Sequence, residues 1–356
     1  MAAALGVLVS CGSVKSGEEV VAASRDSKVV VAYVTSWSEV MPDPQYMTHI
    51  NYAFGHVNES FNGVKIDNEE RLRQIVDLRK QKPELKVLLS IGGWGSGRFS
   101  EMAANDEYRR AFVADCARVV KEFALDGIDI DWEYPTSSMA NISSSPDDTE
   151  NFTLLMQDIR AAIGNEKELT LATVASARYI DFKAILPSVD FVNIMAYDMA
   201  SAPKHHSALY PSGHSGDITS DGAVTAHLKA GVPPSKLVMG MPFYGRGGDG
   251  YPSFQDYNKV GNTDTQYTEK WDEVAQVPYL ADKNDTLVFG FENPRSLAIK
   301  CQYILDKDLL GGMYWDYSGD NEQGDLRRTV AENLLGKPHK AKVLVLTERG
   351  GQHGGF

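Results

Sequence analysis

The chain has 356 residues, 43% of them hydrophobic and 23% charged, a globular balance rather than a disordered or fibrous one. A net charge of −13 argues against a nucleic-acid partner, which wants clustered Lys and Arg, and disfavours an acidic polymer as substrate. No stretch approaches the ~20 consecutive apolar residues of a membrane span, and three cysteines are too few for a disulfide framework.

The chain opens on a short apolar run ending in Leu8-Val9-Ser10-Cys11. This resembles the lipobox of bacterial lipoproteins, in which the cysteine becomes the lipidated N terminus. A polar stretch follows as a tether would, although no Lys or Arg precedes Cys11 as a signal peptide requires. The reading is residues 1–27 as signal, lipobox and tether, 28–336 as one barrel domain, and 337–356 as a linker and the truncated start of a second α/β domain. It implies export: an outer-surface or periplasmic lipoprotein anchored through lipid on Cys11, or a secreted protein.

From residue 28 onward, short β-rich apolar runs alternate with longer amphipathic segments. Strands are expected at 29–34, 50–55, 87–91, 127–132, 169–174, 191–196, 237–242 and 312–315. Helices are expected at 69–80, 107–125, 149–163 and 294–307, with a last one at 324–335. Such alternation implies parallel strands joined by helical crossovers. Eight of them suggest an α/β protein of the closed (β/α)₈ TIM-barrel type. An open nucleotide-binding sheet needs a Gly-rich first turn, whereas the turn here reads Thr35-Ser36-Trp37-Ser38. The polar, aromatic interval 247–285 reads as a short elaboration between strands 7 and 8. In the tail, 342–347 reads as a buried-type strand. The Gly-rich turn around His353 resembles the opening of a trehalose-utilisation-type domain.

The most informative segment runs Asp126-Gly127-Ile128-Asp129-Ile130-Asp131-Trp132-Glu133-Tyr134. Alternate residues of a strand share a face, so Asp129, Asp131 and Glu133 fall on one side and Ile128, Ile130 and Trp132 on the other. In an isolated antiparallel strand this would mean a water-facing polar side. A parallel barrel strand has no such side, so the acids point into the lumen and Glu133 reaches the C-terminal mouth, where barrel active sites sit. Crowded, buried carboxyls raise one another's pKa, and a carboxyl still protonated near neutral pH can serve as a general acid.

The pattern Asp-x-x-Asp-x-Asp-x-Glu resembles the signature of family 18 glycoside hydrolases, the chitinase family. Ser90-Ile91-Gly92-Gly93-Trp94, Met195-Ala196-Tyr197-Asp198, Met241-Pro242-Phe243-Tyr244-Gly245-Arg246 and Gly311-Gly312-Met313-Tyr314-Trp315-Asp316 match the family's motifs on strands 3, 6, 7 and 8. Tyr33 and Tyr52-Ala53-Phe54 fit strands 1 and 2. The resemblance implies hydrolysis of β-1,4-linked N-acetylglucosamine polymers, in which the substrate's own acetamido group is the nucleophile. Glu133 would then be the general acid and base. Asp131 would orient the acetamido N–H, Asp129 would share a proton with Asp131, and Tyr197 would donate to the acetamido oxygen. Trp315 would floor the site, with Asp198, Arg246, Met195, Tyr33, Phe54, Trp94 and Tyr134 around the sugars and Trp37 stacking nearby. No cofactor and no metal are expected, and the protein is read as a monomer.

Asp126, of opposite parity, reads as structural, and Gly92 and Gly93 as permitting close packing. His205, His206 and His214 read as a polar lid rather than a metal site. Larger chitinases carry an α+β insertion between strands 7 and 8, and 247–285 looks too short for one, which favours soluble oligosaccharides. The alternatives are an endo-β-N-acetylglucosaminidase acting on N-glycan cores and a chitin-binding lectin-like barrel; such lectins lose the acid, which is present here.

Overall fold

The computed structural model of the chain describes residues 28–248, 250–260 and 266–336. The lipobox and tether at 1–27 and the second-domain reading of 337–356 lie outside the described residues.

Eight apolar runs form parallel strands β1 (Val29–Thr35), β2 (His49–Val57), β3 (Lys86–Gly92), β4 (Gly127–Asp131), β5 (Glu168–Val174), β6 (Phe191–Met195), β7 (Leu237–Pro242) and β8 (Gly311–Trp315). Neighbours in sequence pair in order from β2 to β8, and β1 pairs with both β2 and β8, so the sheet closes into a (β/α)₈ barrel. The strands are buried on both faces, which is why most are rich in apolar residues along their whole length; β4 is the exception, alternating isoleucine with aspartate. The lumen holds Val31, Tyr33, Phe54, Phe191, Val238 and Met313, while Ile128 and Ile130 of β4 join the larger core outside the barrel.

The helices are α1 (Glu69–Val76), α2 (Phe99–Ala104), α3 (Asp106–Glu122), α4 (Asp148–Ile163), α5 (Phe182–Ile185), α6 (Ser220–Lys229), α7 (Pro294–Asp306) and α8 (Asp325–Leu334). Their starts are chemically marked. Asn105 caps α3 by accepting from the Glu107 and Tyr108 N–H groups, and Asn293 with Ser296 forms a capping box on α7 behind Pro294. Along α3, Phe112, Val113, Cys116, Val119 and Val120 recur at helical spacing and are the buried face. That helix stops at Glu122, short of the expected 125, because Ala124 takes a left-handed φ of 52°. Cys116 and Cys301 are free thiols, both fully buried. Burial, with a contribution from the charges of Asp115 and Glu292 respectively, pushes both thiols far above their ordinary pKa. No helix among the described residues is long and apolar enough to cross a membrane.

The elaboration after β7 is larger than expected. It is a five-stranded antiparallel sheet in the spatial order Gln255–Asp256, Tyr244–Gly247, Leu287–Gly290, Val277–Ala281, Thr268–Asp272. It begins at Tyr244, two residues beyond β7, and has its own core of Leu280, Val288, Phe289 and Phe291. The bounds escaped the sequence because the strands have two to five residues and a bulge interrupts the pattern at Leu280/Ala281.

Candidate active site

The acidic side of β4 points inward as its parity requires. Asp129 is fully buried, and its carboxylate accepts hydrogen bonds from four strands: from the hydroxyls of Tyr33 (2.9 Å), Ser90 (2.7 Å) and Thr170 (2.6 Å), and from Asn193 Nδ2 (3.4 Å). Burial raises its pKa, and these donors pull in the other direction. Two residues on, Asp131 lacks such support. Burial first, then the charges of Glu133 and Asp129, lift it well above the carboxylate range, and its Oδ1 has no hydrogen-bond partner in the protein. Glu133 stands at the mouth, 8% exposed. Burial lifts its pKa from 4.5 to about 7, opposed by a hydrogen bond with the Tyr134 side chain and assisted by the Asp198 charge. The other face of the strand end packs as apolar structure, with Trp132 stacked on Phe99 at 5.3 Å. Asp126 sits apart, binding Arg79 and the Val87 N–H at 2.7 Å, and is structural.

Above the acids lies a cleft of about 740 Å³. Every residue expected to bind substrate lines it. Trp315 forms the floor, its indole 5.6 Å from the ring of Phe54 and inclined by 20°, with Tyr33 also at 5.6 Å. At the rim stand Trp37 and Trp94, 64% and 61% exposed, and Tyr134 packs edge-on to Trp94. Met195 and Tyr197 form the β6 side. Burial, then the nearby Asp131, Glu133 and Asp198 charges, push the Tyr197 hydroxyl far up, so it stays a neutral donor. Asp198 is gripped by Arg246 through two hydrogen bonds of 2.7 and 2.6 Å. Burial alone would raise Asp198; its bonds to Arg246 and His206 override this and hold the carboxyl well below the usual range. Non-proline cis peptide bonds occur at Ala53–Phe54, Glu133–Tyr134 and Trp315–Asp316.

The two glycines do permit close packing. Gly92 has φ +133°, and a Cβ there would lie 2.0 Å from the Asp131 carbonyl oxygen; one on Gly93 would lie 2.6 Å from the Phe54 ring.

The histidines are not a lid. His205 and His206 are buried at 2% and 0% exposure, beneath the cleft wall, and only His214 lies at the surface. His205 Nε2 faces Asp272 Oδ2 at 3.2 Å and His206 Nδ1 faces Asp198 Oδ1 at 3.4 Å. A run of polar residues in a loop gave no sign that the loop is covered by the insertion sheet. Among the described residues no group of three or more His, Cys, Asp or Glu is arranged to hold a metal ion.

Sequence reasoning also missed Tyr244, Phe254, Arg178 and Met139, which line the same cleft. Tyr244 was findable, since it alternates with Arg246 on one strand and so shares its face. Phe254, stacked on Tyr244 at 4.7 Å, lies in a loop with no periodic signal.

A closed barrel whose fourth strand delivers stacked carboxyls to an aromatic cleft is a carbohydrate-cleaving type of site. The comparisons agree. The profile described as "Glycosyl hydrolases family 18" matches residues 29–320. Chitinase A1 of Niallia circulans is 29% identical over 85% of this chain, and the match spans 58% of that protein's length. Chitotriosidase-1 of Mus musculus is 31% identical over 83% of this chain and 74% of its own. Among solved structures, a family 18 N-acetylglucosaminidase from Paenibacillus barengoltzii is 32% identical, with a TM-score of 0.79, over 86% of this chain and 99% of that one. This chain belongs to glycosyl hydrolase family 18.

Proposed function

We propose that the chain hydrolyses β-1,4 linkages between N-acetylglucosamine units, in chitin or its oligosaccharides, with retention and with the substrate's acetamido group as nucleophile. The observation that carries this is the placement of Glu133, buried at the mouth of the barrel with its pKa lifted to about 7, two residues beyond Asp131, whose buried Oδ1 has no protein partner. Glu133 gives its proton to the glycosidic oxygen as that bond breaks. The acetamido carbonyl oxygen attacks the anomeric carbon from the other face. Asp131 accepts the acetamido N–H and balances the positive oxazolinium, and Asp129 shares a proton with it. The Tyr197 hydroxyl donates to the acetamido oxygen, an arrangement set before the reaction begins. Water, deprotonated by the Glu133 carboxylate, then opens the ring and restores the acid. Trp315, Trp37 and Trp94 supply apolar faces for pyranose rings, whose axial C–H surfaces pack on aromatics.

Product analysis on N-acetylglucosamine oligomers of graded length tests the reading. Oligosaccharide products from internal cuts support a chitinase, and failure to cleave any oligomer overturns the proposal. The likeness to an N-acetylglucosaminidase along nearly all of that chain favours a second reading, release of single N-acetylglucosamine residues from chain ends. We also propose that the protein acts outside the cytoplasm, a reading supported by Leu8-Val9-Ser10-Cys11, and that it acts as a monomer; an acylated Cys11 peptide in mass spectra of protein made in a bacterial host tests the anchor.

A further inference from the structure

Residues His205 to Ala208 form a buried strap beneath the cleft wall, at most 2% exposed. It is fixed at almost every residue by groups from the insertion sheet and α7. His205 Nε2 meets Asp272 Oδ2 at 3.2 Å. The Ser207 hydroxyl donates to Glu292 Oε1 at 2.6 Å, and Lys300, itself ion-paired with Glu292, donates to the Ser207 carbonyl at 2.5 Å. Ala208 packs on Ala275 and Val277. Between these anchors, the ring of His206 reaches in the other direction, toward the site.

Its Nδ1 lies 3.4 Å from Asp198 Oδ1 and 3.4 Å from the Asp198 main-chain nitrogen. The His206 carbonyl accepts from the Met199 N–H at 3.0 Å. Asp198 takes a left-handed φ of 54°, a region uncommon for residues with a Cβ although aspartate enters it more readily than most. Arg246 holds the carboxylate from the cleft side, and His206 meets both the carboxylate and the main chain from below.

We propose that His206 is the positioning residue of Asp198, transmitting the anchorage of the insertion sheet into the wall that faces Glu133. The proposal rests on the reading of Asp198 as part of the substrate site. It does not make His206 a catalytic residue, since His206 has no exposure to the cleft.

Two amide substitutions separate geometry from packing, because both remove the buried ring and only one keeps a polar atom at the Nδ1 position. In His206→Asn the amide group can occupy the place of Nδ1, its Oδ1 able to accept from the Asp198 N–H, whereas in His206→Gln it reaches toward the place of Nε2. Expected is kcat on a chitotetraose-type oligomer, measured well below the thermal midpoint of each variant, within about threefold of the parent for His206→Asn, and a loss of about tenfold or more for His206→Gln; both midpoints should fall, since each variant loses the buried ring. A cycle with Asp198→Asn gives the second readout: once Asp198 is altered, His206→Gln should lower kcat no further. Equal losses in the two His206 variants, or losses that multiply in the cycle, overturn the proposal. Should Asp198→Asn alone retain parental kcat and KM, it is the assignment of Asp198 that fails, a result distinguishable from the other two.

Discussion

Trp315 and Phe54 stack face to face at the base of the cleft, 5.6 Å apart and 20° from parallel, although one ends β8 and the other lies in β2. Closure of the barrel through β1 brings the two strands to the same side of the mouth. The result is a two-ring apolar platform beside Glu133. Trp315→Ala should remove its upper face and lower kcat/KM on N-acetylglucosamine oligomers roughly 30-fold, about 2 kcal/mol of transition-state binding. Steady-state kinetics with kcat/KM unchanged would show that no sugar rests there.

Glu133→Gln keeps the side chain's shape and removes its proton. Turnover should fall by about 10²–10⁴-fold or more, while oligosaccharide binding measured by calorimetry stays near that of the parent. A variant retaining a tenth of parental turnover would mean that another group is the acid.

The raised pKa of Glu133 has a second consequence, for stability. Between pH 4.5 and about 7 the folded protein holds this proton more firmly than the unfolded chain does. Stability from this group is therefore fully present at the lower edge of that window and is lost as pH rises through 7. Glu133→Gln, which has no proton to lose, should gain about 1–3 kcal/mol on the parent between pH 5 and pH 8 in urea titrations. A constant difference across that range would show that Glu133 is not held protonated in the fold.

Ser90→Ala removes one of the four donors to the buried Asp129 carboxylate. The group left partly unsatisfied should cost about 1–3 kcal/mol of stability, and activity should fall with it if Asp129 shares a proton with Asp131 as proposed; unchanged single-turnover rates would remove Asp129 from the mechanism. Denaturant unfolding followed with single-turnover kinetics measures both.

Oligomers stripped of their acetyl groups lack the proposed nucleophile and should be cleaved at least about 100-fold more slowly than acetylated ones of equal length, in keeping with substrate-assisted chemistry. A thiazoline analogue that mimics the oxazolinium should inhibit strongly. Equal rates on the two oligomer series would remove the acetamido group from the mechanism.

The barrel was legible because its strands are buried on both faces, which makes most of them apolar-rich runs, with β4 the alternating exception; the 237–242 run coincides with β7, and the others stay within two residues at either end. The acids were legible because strand parity and position determine where Asp129, Asp131 and Glu133 point. What sequence could not show was burial from above. His205 and His206 look like surface polarity until the insertion sheet is seen to cover them. The short helices α2 and α5, of six and four residues, give too few turns for a periodic signal. Phe254 reaches the cleft only through the tertiary path of its loop.

Cys116 on α3 and Cys301 on α7 lie in different parts of the helical ring, each fully enclosed and held as a thiol far from ionisation. In the folded protein neither presents a thiolate to an alkylating reagent. Each gains one only when its own helix leaves the barrel, so modification at each position is a clock for opening of that sector. Equal rates at the two cysteines would mean that the ring opens as one cooperative unit. A faster rate at Cys301, next to the insertion, would mean that the barrel comes apart first where β8 closes it.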